Sequence, residues 1–249
     1  MTELKTMSPV NLAVAAVFTA LVCVVTIIFS IYVPATEGFF NIGESMVFLS
    51  ALLFGPFVGA FAGGVGSMLA DLFLGFPHYA PATLIIKACE GGVVGILQKK
   101  NPKLSSSLHW KFFTMVLAVA AGFLLGWVGT TYYSGEVQLT LGSAVFAFFV
   151  PAEFWIILGI ITALSVSAFG LLADPEFGWT FFSVILGGFV MVFGYFIYQL
   201  FFIYPLFKIE VVAIAEIPVN IGQMIIGAIV ALPITKIVWR ILPYLKEKK

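Results

Sequence analysis

Long apolar runs, separated by short polar or proline-glycine breaks, organise this chain. The first runs from about Asn11 to Val33, opens after Ser8–Pro9 and stops at Pro34. A Ser-Pro start and a proline stop predict one helix. The next run, Ile42 to Leu74, would be about 50 Å long as a single helix at 1.5 Å per residue, too long for one crossing of a ~30 Å hydrocarbon layer. Gly55–Pro56 divides it, because proline removes a helical hydrogen bond and clashes with the preceding turn. The run therefore reads as two short helices folded back on each other. Further spans are predicted at about Ala80–Leu97, Phe112–Tyr132, Ser143–Leu172, Trp179–Tyr204 and Val211–Leu242, about eight in all. These runs do not show the ten-residue alternation of a membrane β-barrel, so the expected class is an all-α polytopic membrane protein.

Composition agrees with that pattern: 61% of residues are hydrophobic and 10% charged, which excludes an ordinary soluble domain. Net charge is zero, so no nucleic-acid partner is implied. The distribution of charge says more. In the eight-span arrangement Lys5, Lys99, Lys100, Lys103, Lys111, Lys236, Arg240, Lys246, Lys248 and Lys249 fall on one side and Lys208 alone on the other. By the positive-inside rule both termini are cytoplasmic. Trp127, Trp155, Trp179 and Trp239 lie toward span ends, as an interfacial aromatic belt requires. Cys23 and Cys89 sit inside predicted spans and read as small core residues.

Candidate chemistry concentrates where hydrocarbon is expected. Glu44, Asp71, Lys87 and Glu90 interrupt the almost wholly apolar stretch Phe39–Leu97, and an ionisable side chain in a span costs several kcal/mol (about 3 by insertion scales) unless it faces a cavity or a partner. Thr83, Lys87 and Glu90 fall at i, i+4 and i+7, and Glu216, Asn220 and Gln223 repeat that spacing, so each set shares one helical face. Lys87 and Asn220 lie roughly 10 to 14 Å deep from the outer ends of their helices, and Asn41, Glu44, Asp71, His78 and Tyr79 come near the same external level. Two readings follow. The groups could neutralise one another, Lys87 pairing with Glu90 while Asn220 and Gln223 bond across helices. Or they could line an outward-open pocket for a polar small molecule. Gly55, Gly59 and Gly63, continued by Gly91, Gly92 and Gly95, suit close helix packing. Ala13, Ala16 and Ala20 form a second small face on the first span. No His/Cys/Glu set has metal-ligand spacing, and no nucleophile elbow or nucleotide-binding motif occurs, so neither an enzyme nor a cofactor is implied.

NIGES at Asn41–Ser45, LFGPFVGAFAGGVGSMLADL at Leu53–Leu72 and TLIIKACEGGVVG at Thr83–Gly95 resemble the riboflavin-transporter-type substrate-binding (S) components of energy-coupling factor (ECF) transporters. FGYFIYQ at Phe193–Gln199 and AEIPVNIGQMIIGAIVALPI at Ala215–Ile234 are similar too. The resemblance implies a six-helix core, here 8–97 and 179–243, and this sequence departs from that compact pattern by an inserted helical pair at about 111–178. It implies capture of a vitamin-like, riboflavin-like heterocycle from outside the cell membrane. A transmembrane coupling subunit and ATPase subunits would energise delivery by toppling the loaded protein. Asn41, Glu44, Asp71, Lys87, Glu216 and Asn220 would then belong to the ligand pocket or its outer gate, and Ala16 and Ala20 would meet the coupling subunit. Among the remaining site candidates, His78, Thr83, Glu90 and Gln223 add polar contacts, and Tyr79 and Tyr195 would stack on a ring. Lys87 would meet an anionic or carbonyl group. The alternatives are a self-sufficient proton-coupled secondary transporter and a non-transport membrane scaffold.

Overall fold

The computed structural model describes residues 9–33, 36–100, 107–132, 134–141, 144–172 and 175–247. In chain order these form α1 (Pro9–Ile28), β1 (Ser30–Val33), β2 (Gly38–Asn41), α2 (Glu44–Phe54), α3 (Pro56–Leu74), α4 (Ala80–Lys100) and α5 (Ser107–Tyr132). There follow β3 (Gly135–Leu141), β4 (Ala144–Val150), α6 (Ala152–Leu172), α7 (Pro175–Tyr198), α8 (Tyr204–Phe207), α9 (Ala213–Ile241) and α10 (Tyr244–Glu247). A π-helical turn, Gln199–Ile203, joins α7 to α8.

Six helices among the described residues are long and apolar enough to cross a membrane, lying within α1, α3, α4, α5, α7–α8 and α9. The other two expected spans are shorter: α2 has 11 residues, and the apolar part of α6 is Ala152–Ala168. At 1.5 Å per residue α2 reaches only about 16 Å, half a hydrocarbon layer. Burial is inverted relative to a soluble protein. On α9, Glu216, Asn220 and Gln223 are buried whereas Ile225, Ile229 and Ile237 are exposed, and on α4 Lys87 and Glu90 are buried whereas Ile85 and Ile96 are exposed. Polar faces turn inward and apolar faces outward, as lipid demands.

Two boundaries and one burial differ from the sequence expectation. The first span ends at Ile28, because Ser30–Val33 pairs antiparallel with Gly38–Asn41 in register Ser30–Asn41 to Val33–Gly38. Within Ser143–Leu172, Ala144–Val150 is a strand paired with Gly135–Leu141, and the helix begins only at Ala152. Cys89 lies exposed on α4 and is no core residue, unlike Cys23. Lys5, Lys103, Lys248 and Lys249, used in the charge argument, fall outside the described residues.

Backbone packing divides the chain into two compact units, Met1–Asn101 with Trp179–Lys249, and Pro102–Gly178. In the first, Gly55 takes φ 87°, a region that favours glycine, and the chain reverses there. The first turn of α3 thereby folds against α2: a Cβ placed on Gly59 would come within 2.6 Å of Ala51 Cβ and 2.8 Å of the Gly91 carbonyl oxygen. The glycine row of α3 thus seats α4, and Gly66 meets α1 at Thr19 and Val22. Val22, Val47 and Ala62 form the core where α1, α2 and α3 join. In the second unit α5 and α6 approach through Gly122 and Gly159.

Candidate functional site

The face shared by Thr83, Lys87 and Glu90 on α4 turns inward because the glycines of α3 draw the two helices together on that side. A Cβ on Gly63 would lie 2.8 Å from the Lys87 carbonyl oxygen. Opposite stands α9, presenting Glu216, Asn220 and Gln223. The two faces, with α1, β2, α3, the turn before α4 and α7, enclose one cavity. It is lined by Thr26, Gly38, Phe39, Asn41, Ser67, Asp71, Tyr79, Thr83, Lys87, Tyr195, Glu216, Asn220 and Gln223. Nine of the residues singled out from sequence are in that wall: Asn41, Asp71, Tyr79, Thr83, Lys87, Tyr195, Glu216, Asn220 and Gln223.

Of the other candidates, Glu44 and Glu90 are buried at Lys87 and absent from the cavity lining. The Lys87 ammonium donates to Glu44 Oε2, lies 3.0 Å from Glu90 Oε2 and abuts Met191 Sδ. The lysine expected to meet an anionic ligand group already holds two carboxylates, so the pairing reading of the sequence applies to these three residues. His78 sits half-buried, its Nε2 3.4 Å from the Glu37 carbonyl oxygen, and its own carbonyl accepts from Tyr198.

The β1–β2 hairpin is fastened over the cavity by polar bonds. The Asn41 backbone N–H donates to Gln223 Oε1 at 3.2 Å and its side-chain amide donates to the same oxygen. Gln223 in turn donates to Asn220 Oδ1 at 2.8 Å. Tyr79, at the turn before α4, donates its hydroxyl to the Thr36 carbonyl at 2.6 Å and accepts from Gln199 at 2.6 Å. At the outer edge of the hairpin Tyr32 donates to Glu37 at 2.7 Å, which holds its phenol above the ordinary pKa. Deeper, Thr83 and Tyr195 share a hydrogen bond of 2.9 Å.

Several buried polar atoms have no partner: Asp71 Oδ2, Glu216 Oε2, Asn220 Nδ2 and Gln199 Oε1. Such atoms are rare in native interiors and mark places where water or a solute belongs. Asp71, Glu216 and Asn220 line free space that is small, about 30 Å³. That is room for roughly one water molecule, against about 300 Å³ or more in ligand sites. The site is closed in this structure.

Sequence reasoning missed Thr26, Gly38, Phe39 and Ser67 in the wall, and Thr36 and Gln199 behind it. Two of them carried a periodic signal: Ser67 precedes Asp71 by one helical turn, and Gln199 follows Tyr195 by one. Gly38 and Phe39 enter the wall from a strand that no polar alternation announces. Ala16 and Ala20, the expected partner-contact residues, are exposed on α1, whose buried face is Ala15, Thr19, Val22, Cys23 and Thr26. Among the described residues no group of three His, Cys, Asp or Glu side chains could hold a metal ion.

Inward polar faces, outward apolar faces and a closed internal site define a multi-pass membrane protein built around buried polar groups. Residues 6–167, more than half of the chain, match the family described as ECF-type riboflavin transporter, S component, and the chain belongs to that family. That family consists of membrane-embedded S components of ECF-type transporters, which are transporter subunits and not enzymes. The match ends before α7 and α9, which supply four of the cavity residues. A Pyrococcus woesei protein named "Uncharacterized protein in gap 3'region" is 51% identical over 78 residues, 31% of this chain and 52% of its own length. The thiamine precursor transporter HmpT of Lactococcus lactis subsp. cremoris (strain MG1363) is 29% identical over 119 residues, 47% of this chain and 66% of its own. The chain spans less than two thirds of the length of either relative.

Proposed function

We propose that this chain captures a small vitamin-type heterocycle in the cavity between α3, α4, α7 and α9, and passes it to a transmembrane coupling subunit driven by ATPases. One observation carries the reading: polar side chains from separate elements converge, buried and partly unpartnered, on one hollow in a chain whose outer surface is apolar. Most of such a ligand's surface would lie against Phe39, Tyr79 and Tyr195, while amide and carboxylate groups orient it, the usual division of labour in small-molecule sites. Riboflavin, named by the family, and a thiamine precursor, named for HmpT, are both compounds of this class. Both termini face the cytoplasm in this reading, and the cavity mouth under the β1–β2 hairpin faces outside.

The exposed small residues of α1 support the coupling step. Ala13, Ala16 and Ala20 lie on one side of the helix and take no part in the buried face of this chain. Small residues let a second helix backbone come close in lipid, where packing replaces the hydrophobic effect as the attraction. Residues 111–178 act as an insertion that leaves the capture core complete.

The direct test is mass spectrometry of small molecules that co-purify with the chain in detergent, followed by rebinding of the identified compound. A stoichiometric heterocycle, released by Asn220→Ala together with Tyr195→Ala, is the expected result. A preparation free of small molecules, which also binds none of the vitamins offered, would remove the capture reading.

A further inference from the structure

We infer that the cavity selects a positively charged, N–H-donating heteroaromatic compound over an uncharged flavin or an anion; this rests on the capture reading above and narrows its substrate class. The basis is the balance of charge and of hydrogen-bonding capacity within the site. The buried charged residues described in the chain are four carboxylates, Glu44, Asp71, Glu90 and Glu216, and one ammonium, Lys87. Lys87 is spent on Glu44 and Glu90. Asp71 and Glu216 line the same cavity as Lys87 but form no ion pair with it, at 4% and 5% exposure.

Each of these two carboxylates keeps one oxygen without a partner, Oδ2 of Asp71 and Oε2 of Glu216. A buried carboxylate accepts hydrogen bonds and donates none while ionised. The site therefore asks its ligand for donors and positive charge. Removing one partner of a charged hydrogen bond leaves the other's desolvation uncompensated, and an anionic ligand would add a further acidic group to a wall that already holds more carboxylates than cations.

The aromatic side chains point the same way. Tyr79 and Tyr195 both line the cavity, their ring centroids 6.2 Å apart and inclined at 66°. A cation over a tyrosine face is attracted by the ring quadrupole, most strongly where water is excluded. Both carboxylates also lie within electrostatic reach of the Tyr79 hydroxyl, so charge recognition and ring stacking act at one place. An exocyclic amine on a cationic nitrogen heterocycle satisfies all three demands: donors for the two empty oxygens, charge for the two carboxylates and a plane for the tyrosines.

The experiment compares three probes on the full chain in detergent by titration calorimetry. They are thiamine, a cationic ring system with an exocyclic amine; riboflavin, uncharged; and pantothenate, an anion. Thiamine is expected to bind at least tenfold tighter than either of the others. Asp71→Asn and Glu216→Gln, near-isosteric changes, should each weaken thiamine tenfold or more and so narrow its lead over riboflavin and pantothenate. The ranking on the unaltered chain decides the matter even where a variant fails to fold. Riboflavin or pantothenate binding as tightly as thiamine overturns the inference and leaves capture itself standing. So does thiamine binding that survives both substitutions undiminished. Absence of binding by all three overturns it as well, and if no small molecule co-purifies, the capture reading falls with it.

Discussion

Lys87 holds two buried carboxylates with one ammonium, and its loss would leave both without a counter-charge. Removing one partner of a buried ion pair is far more costly than replacing the whole pair with apolar groups, because the remaining charge stays desolvated. Lys87→Met is expected to destabilise the protein by about 3 to 5 kcal/mol, read as a lowered unfolding midpoint in detergent. Adding Glu44→Gln to Lys87→Met should recover part of that loss, since contacting residues are not additive. An unchanged midpoint for Lys87→Met would show that the triad is not the buried strut described here. Lys87 also lines the cavity, and its pairing with Glu44 was not legible in the sequence. Its spacing placed it with Thr83 and Glu90 on the inward face, but Glu44 comes from another helix, and no local pattern connects residues 43 positions apart.

Two neighbouring glycines show how the helices set the site. A methyl group on Gly91 would run into the backbone of Gly59 and Ala60, whereas one on Gly92 would meet only Ala60 Cβ at 3.7 Å, ordinary contact. Gly91→Ala is expected to cost about 1 to 3 kcal/mol through overpacking. Gly92→Ala should be neutral or stabilising by up to about 1 kcal/mol, since alanine is the better helix former. Thermal unfolding of the two variants side by side checks this, and equal midpoints would contradict the α3–α4 approach.

Much at this scale was legible in the sequence. The Gly55–Pro56 break, the four-residue glycine spacing and the shared faces of α4 and α9 all follow from helical period, and the structure has them. The strands were not legible. Ser30–Val33 and Ala144–Val150 continue apolar runs without polar alternation, and a short apolar run carries no period that separates strand from helix. Phe39 and Gly38 reach the cavity wall through such a strand, which is why they escaped notice. Pairing between β1 and β2, a tertiary fact, outweighed the helical tendency of the run.

At the scale of the whole molecule, every residue lining the cavity belongs to the unit formed by Met1–Asn101 and Trp179–Lys249. The two ends of that unit that flank the intervening segment meet: Trp179 Nε1 donates to the Leu97 carbonyl oxygen at 2.8 Å. A chain in which a short glycine-serine linker replaces residues 102–178 is therefore expected to fold and to keep its ligand affinity within about threefold, a change of well under 1 kcal/mol. Calorimetric titration with the co-purified compound measures it. Loss of binding in a folded, shortened chain would show that the segment contributes to the site.

The tightness of the closed hollow bears on timing. With free space of only about 30 Å³, the hollow must widen before a vitamin-sized guest fits at Asp71 or Asn220, and parting of Asn41 from Gln223 is the expected route. Loading then proceeds through a sparsely populated open form, and the measured association is slowed by that form's scarcity. Rapid-mixing traces should consequently level off as solute is raised, at a plateau set by how often the hairpin lifts. Asn41→Ala, which cuts one of its ties, should raise that plateau.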